Sequence, residues 1–176
     1  MFIRLSCVCV MCLALVSMWV AESSDFEKAA ALFQQRQWAQ AAAAFAEAEK
    51  KEPGQTDALL FEGKSLVNLS KFDEAGEALQ AYLKAHPKSD DASYLLAYVR
   101  FRQNRPKESL ELMHSATALK PPTADDLKIG ALDYVLIGDY ADAGRYLEEA
   151  VRIEPNNLDA FIESLPKDTP IYLYCT

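Results

Sequence analysis

Residues 72–87 read FDEAGEALQAYLKAHP, and the fold follows from where the same marks recur. An aromatic opens the stretch at Phe72, a small residue follows at Ala75, and Pro87 closes it. A step of 34 residues upstream finds Trp38, Ala41 and Pro53; the same step downstream finds Pro106, Ser109 and Pro121, then Tyr140, Ala143 and Pro155. Ala75, Leu79 and Tyr82 share one helical face, the apolar stripe of a helix that packs on something else. A second small series, Ala29, Gly63, Ala97 and Ala131, keeps the same step in the segment before each stretch. A period of this length describes one helical hairpin that cannot bury its own apolar face, so successive hairpins must stack.

In this register the units span 22–55, 56–89, 90–123 and 124–157. In the first, Phe26, Ala29, Leu32 and Phe33 stripe one helix, the Gln35 to Gln37 stretch turns the chain, and Trp38 begins an alanine-rich second helix. Glu52-Pro53-Gly54 stops that helix, because proline cannot continue it and glycine accepts the terminating conformation. Pro106 suits the first turn of a helix, where its missing N–H is not needed. The small residues of both series let paired helices approach closely while larger side chains fill the space beside them.

Four in-register copies of this pattern resemble the tetratricopeptide repeat family over about residues 22–157. The resemblance implies an all-α, right-handed superhelical solenoid of four tandem hairpins, whose first helices line a concave groove that holds an extended peptide or a partner helix. Carried over by register, the groove-facing residues are Phe26, Ala30, Phe33 and Gln34 in the first unit and Leu60, Lys64, Val67 and Asn68 in the second. Tyr94, Tyr98, Phe101 and Arg102 follow in the third, and Lys128, Leu132, Val135 and Leu136 in the fourth. An apolar and aromatic lining dotted with cations suits a partly hydrophobic protein partner that carries some acidic charge. One subset of the family clamps chaperone tails with lysines and asparagines near the first groove positions. Phe26 and Ala30 stand there, which argues against that subset. The chain also departs from the family pattern at Asp25, where a large apolar residue is usual, and in the third unit at Ser93, Arg100 and Pro106. The third unit is therefore expected to pack most loosely.

Outside the repeats the chain changes character. Arg4 is followed by an uncharged, apolar or small run from Leu5 to Val20, and Ala21 and Ser23 offer small residues for cleavage. Residues 1–23 are expected to be a signal peptide, or an N-terminal anchor that attaches the chain to a membrane through residues 1–21 if it stays uncleaved. The run is shorter than the ~20 residues that usually span a bilayer. The expected location is periplasmic or secreted. Cys7, Cys9 and Cys12 fall in this segment and form no metal cage, and Cys175 would be the one cysteine left after cleavage, which excludes an internal disulfide. At the other end, 158–176 begins as a partial capping helix with Phe161, is broken by Pro166 and Pro170, and finishes on Ile171-Tyr172-Leu173-Tyr174. It either folds back over the last repeat or marks a truncated or frame-altered version of a longer array.

The charge balance, 18 Lys+Arg against 26 Asp+Glu for a net charge of −8, repels phosphate backbones and argues against a nucleic-acid partner. No catalytic set, cofactor site or metal site is expected. His86 stands before Pro87 at a helix end, where a cation complements terminal carbonyls, and His114 faces outward or toward a seam between helices. Asp90-Asp91 and Asp125-Asp126 fall at helix starts, as caps. The function expected is a non-enzymatic scaffold or adaptor that binds another protein outside the cytoplasm. The alternatives are a structural subunit of an envelope or secretion assembly, associating through its last repeat, and a fragment of a longer protein.

Overall fold

The computed structural model describes residues 24–155; the expected signal segment 1–23 and the tail 158–176 lie outside the described residues. Among the described residues there are eight α-helices and no strand. The helices are α1 (Asp25–Gln34), α2 (Trp38–Lys51), α3 (Asp57–Asn68), α4 (Phe72–Ala85), α5 (Asp90–Arg102), α6 (Pro106–Thr117), α7 (Ala124–Ile137) and α8 (Tyr140–Ile153). Each packs on the next in the chain, and the first helices also touch one another in series, α1 to α3, α3 to α5 and α5 to α7. Four hairpins thus stack into an all-helical solenoid with the first helices forming one continuous layer.

Local chemistry fixes the helix ends. Ser24 and Glu27 close α1 as a reciprocal capping box, and Thr123 and Asp126 do the same for α7, each satisfying donors that the first turn leaves over. Ser89 accepts from the Ala92 N–H at the start of α5. Inside every hairpin the turn holds one residue in the left-handed region: Arg36 (φ 58°), Ser70 (59°), Asn104 (58°) and Gly138 (84°). The same two backbone bonds recur there, for example Lys71 N–H to Leu66 O (3.0 Å) and Ser70 N–H to Val67 O (2.9 Å). This pair of bonds is the Schellman arrangement, and only the fourth turn meets its backbone demand with a glycine.

The core is a ladder of small and large residues in register. Ala29, Ala41 and Phe45 of the first hairpin are buried together with Ala58 of the second, with Phe26, Phe33 and Phe61 against them. The second cluster joins Ala42, Leu66, Ala75, Leu79, Leu96 and Val99, and the last joins Leu110, Ala131, Tyr134, Ala143 and Leu147. Each seam between hairpins therefore sets a first-helix residue against the second helix of the hairpin before it: Leu66 with Ala42, and Tyr134 with Leu110. The position between them belongs to Arg100, which meets Gly76.

That meeting shows how Arg100, a departure from the repeat pattern, is accommodated. Arg100 is only 4% exposed. A Cβ added to Gly76 would lie 2.9 Å from its Nη1, so the glycine makes the room that the guanidinium fills. Nη1 donates to Gln103 Oε1 (2.6 Å), and Nε pairs with Glu108 (3.3 Å). Burial pulls the guanidinium below its usual pKa, the neighbouring Arg105 charge acts the same way, and Glu108 opposes both. Ser93 is buried too, its hydroxyl donating to Ser89 O (2.8 Å). Leu96, Val99, Leu110 and Met113 are buried in the same hairpin. A polar residue that finds room and partners packs as tightly as an apolar one.

Candidate functional site

The layer of first helices holds a cavity of about 380 Å³ that runs from α3 across α5 to α7. Lys64 borders it on α3, Asp91, Tyr94, Leu95 and Tyr98 on α5, Lys120, Pro121 and Thr123 in the α6–α7 connection, and Asp126 and Ile129 on α7. Residues at i, i+3, i+4 and i+7 share a face, which is why α5 presents Asp91, Tyr94, Leu95 and Tyr98 side by side. Tyr94 donates its hydroxyl to Lys120 O (2.8 Å) and lies 3.1 Å from Thr117 Oγ1, so it ties α5 to the far end of the same hairpin. Burial pushes the Tyr94 hydroxyl above its usual pKa.

The charges around the cavity are mixed. Lys120 Nζ pairs with Asp91 (3.1 Å) and Asp90 (3.5 Å) across the hairpin. Lys64 Nζ lies 5.1 Å from the centroid of the Phe61 ring, held by a cation–π contact at the cavity rim. At the turn end of the same hairpin, Tyr98 accepts from Arg102 Nη1 (2.6 Å), and the Arg102 guanidinium lies 4.3 Å from the centroid of Phe72. Arg102 also borders a hollow of about 490 Å³ between the second and third turns, shared with Phe72, Asp73, Glu74 and Gln103.

The residues expected to face a groove are thus divided. Lys64, Tyr94 and Tyr98 come together around one cavity, with Arg102 bound to Tyr98 beside it. Phe26 instead stacks edge-on against Phe45 and Phe61 (5.4 and 5.8 Å between centroids). Leu60 and Leu132 pack against the second and last core clusters, and Phe101 is half-buried. Asn68 spends its side-chain amide on Lys64 O (2.8 Å). Lys128 departs most from expectation: it is only 6% exposed, with its ammonium 2.7 Å from Asp125. A long aliphatic stem can be covered while its charged end reaches a partner at the rim, and that is how α7 uses this lysine. Asp91, Leu95, Lys120, Pro121, Thr123, Asp126 and Ile129 also border the cavity and were not anticipated; Asp91 and Asp126 stand one position out of register with each other, so the repeat pattern did not pair them.

Neither histidine sits in a catalytic arrangement among the described residues. His86 Nε2 lies 2.6 Å from Thr56 Oγ1 and its ring stacks on Tyr82 (4.5 Å), fastening the end of α4 to the start of α3. His114 Nε2 lies 3.1 Å from Tyr146 OH and 3.2 Å from Tyr134 OH. Among the described residues no group of three or more His, Cys, Asp or Glu could hold a metal ion, and no helix is long and apolar enough to cross a membrane.

A family model described as tetratricopeptide repeat matches residues 26–64 and 62–123, more than half of the 176-residue chain. The chain belongs to the tetratricopeptide repeat family. Solved structures agree on the fold of this tetratricopeptide array. A MamA structure from Desulfovibrio magneticus RS-1, comprising residues 41 to the end of that protein, superposes with a TM-score of 0.69 at 19% identity, covering 84% of this chain and 86% of that one. A MamA crystal structure gives 0.68 at 22% identity over 72% and 74% of the two chains, and another gives 0.69 at 21% over 74% and 72%. At these identities the likeness is one of fold. Among proteins of curated function none matches the sequence. Tetratricopeptide arrays serve in general as scaffolds for protein interaction, and this chain is a scaffold in that general sense.

Proposed function

We propose that the chain is an adaptor that holds an extended peptide or a helix of a partner protein against its first helices, centred on Lys64, Tyr94 and Tyr98, outside the cytoplasm. The cavity shared by three successive hairpins carries this reading, since it offers aromatic and aliphatic surface with hydrogen-bonding groups at its edge. The partner is partly apolar and brings an acidic group to Lys64, because Lys120 is already matched by Asp90 and Asp91. Export is supported by the basic start and apolar run of residues 4–20. Tyr98→Ala and Lys64→Glu should each reduce recovery of the partner in a pull-down at least tenfold while the far-ultraviolet helical signal is kept. Undiminished recovery with both variants would rule the groove out.

A second reading has one observation in its favour. The turn end of the last hairpin exposes Leu136 (52%), Ile137 (40%) and Tyr140 (44%) next to one another in sequence. An apolar edge of this kind suits a structural subunit that associates through its last repeat. Sedimentation over a hundredfold concentration range decides it: association abolished by Leu136→Glu supports the reading, and a monomer throughout ends it.

A further inference from the structure

The carboxylate of Asp133 on α7 has no exposed surface, and neither of its oxygens has a hydrogen-bond partner. Its register positions in the two preceding hairpins are Ser65 and Val99, both also fully buried. Opposite it stands Ser109 of α6, in the series that is otherwise Ala41, Ala75 and Ala143. Two departures from an apolar repeat therefore meet at one place, the seam between the third and fourth hairpins. The Ser109 hydroxyl offers the carboxylate little, because it donates to Ala97 O (2.9 Å).

We propose that this seam is a pH-operated joint: with Asp133 protonated the fourth hairpin docks closely on the third, and with Asp133 ionised the seam opens to let water reach the carboxylate. A charged carboxylate without partners is far more costly to bury than a neutral one, so ionisation weakens close docking. Burial pushes the Asp133 carboxyl up from 3.8 to about 7, with the nearby Ser109 hydroxyl pulling the other way. The other titratable groups at the seam are engaged elsewhere. His114 of α6, Tyr134 of α7 and Tyr146 of α8 hydrogen-bond together, and Tyr146 is pushed up to about 12, mainly by burial. Arg100 of α5 is held by Glu108 and Gln103, and no charge from α5, α6 or α8 acts on Asp133.

The sign follows from linkage. The closed seam binds a proton that the open seam releases above about 4, so rising pH favours opening until Asp133 is ionised in both states. Because Thr123, Asp126 and Ile129 border the cavity described above, opening would shift one wall of it; that consequence, unlike the joint itself, rests on the groove reading.

Hydrogen exchange of the α7 and α8 amides in the full chain, corrected for intrinsic rates and measured without any partner, tests the joint separately from groove binding. Protection should fall roughly tenfold per pH unit between pH 5 and 6.5 and level off above 7, while α1 to α4 change little. Asp133→Val, which restores the residue found at position 99, should remove the dependence. Carbon-detected titration of the Asp133 carboxyl in the unaltered chain keeps the test open should the variant misfold, with a midpoint near 7 expected. Flat protection in the unaltered chain, a midpoint near 4, or an unchanged dependence in Asp133→Val would each overturn the proposal.

Discussion

Asp133 faces Ser109 across the seam between the third and fourth hairpins, fully buried and with neither carboxylate oxygen hydrogen-bonded. In the preceding seam the corresponding residues are Val99 and Ala75, packed in one apolar cluster. At this place the array thus carries a carboxylate and a hydroxyl where the seam before it carries valine and alanine.

The stability of the whole chain should follow this joint. A carboxyl raised from 3.8 to about 7 contributes stability that is fully present below pH 4 and lost as pH rises to 7. The loss amounts to on the order of 4 kcal/mol. Denaturant midpoints at pH 5 and 8 read the upper two-thirds or so of it, and Asp133→Val should stabilise the chain more at pH 8 than at pH 5.

Gly76 and Arg100 form a second dependent pair. A Cβ at Gly76 would press on Arg100 Nη1, and the buried guanidinium is already tied to Gln103 and Glu108. Gly76→Ala should therefore cost about 1–3 kcal/mol despite the higher helix propensity of alanine. Combining it with Arg100→Leu recreates the Ala42–Leu66 pairing of the seam before, and a double-mutant cycle should show recovery beyond additivity.

Ala75 is fully buried at the contact of α4 with its neighbours, in a cluster with Leu79, Leu96 and Val99. Ala75→Leu should overpack it and lower stability by about 1–3 kcal/mol, read as a shifted urea midpoint with the m-value unchanged.

Gly138 has open space where a Cβ would go but holds φ at 84°. Gly138→Ala should thus cost about 1 kcal/mol from backbone conformation alone. The reverse change at Ser70, glycine for serine at φ 59°, should be neutral to mildly stabilising, since relief of the turn is offset by a freer unfolded chain. Thermal melts of the two variants check both signs.

The family and the helical hairpins were legible because proline, aromatic and small residues punctuate helices by local sterics. Trp38, Phe72, Pro106 and Tyr140 open the second helices for that reason. The site was legible only in part. Register places a residue on the first-helix face, but whether Phe26 turns into the core or Lys128 is covered depends on neighbours distant in sequence. The buried charges were harder still. Arg100 and Asp133 look like surface residues until each is read against the residue that meets it, Gly76 and Ser109. The left-handed turns were missed because three of the four are made by Arg36, Ser70 and Asn104, not glycine.

Site-specific photocrosslinking tests the groove most directly. A benzophenone amino acid would replace Tyr94 at the cavity, Tyr140 at the last turn or, as an outer control, the exposed Glu77 of α4. The account predicts that one partner is captured from position 94 and not from 77 or 140, and that Lys64→Glu abolishes the capture. Capture from 77 or 140 alone, or capture at 94 that survives Lys64→Glu undiminished, would contradict it.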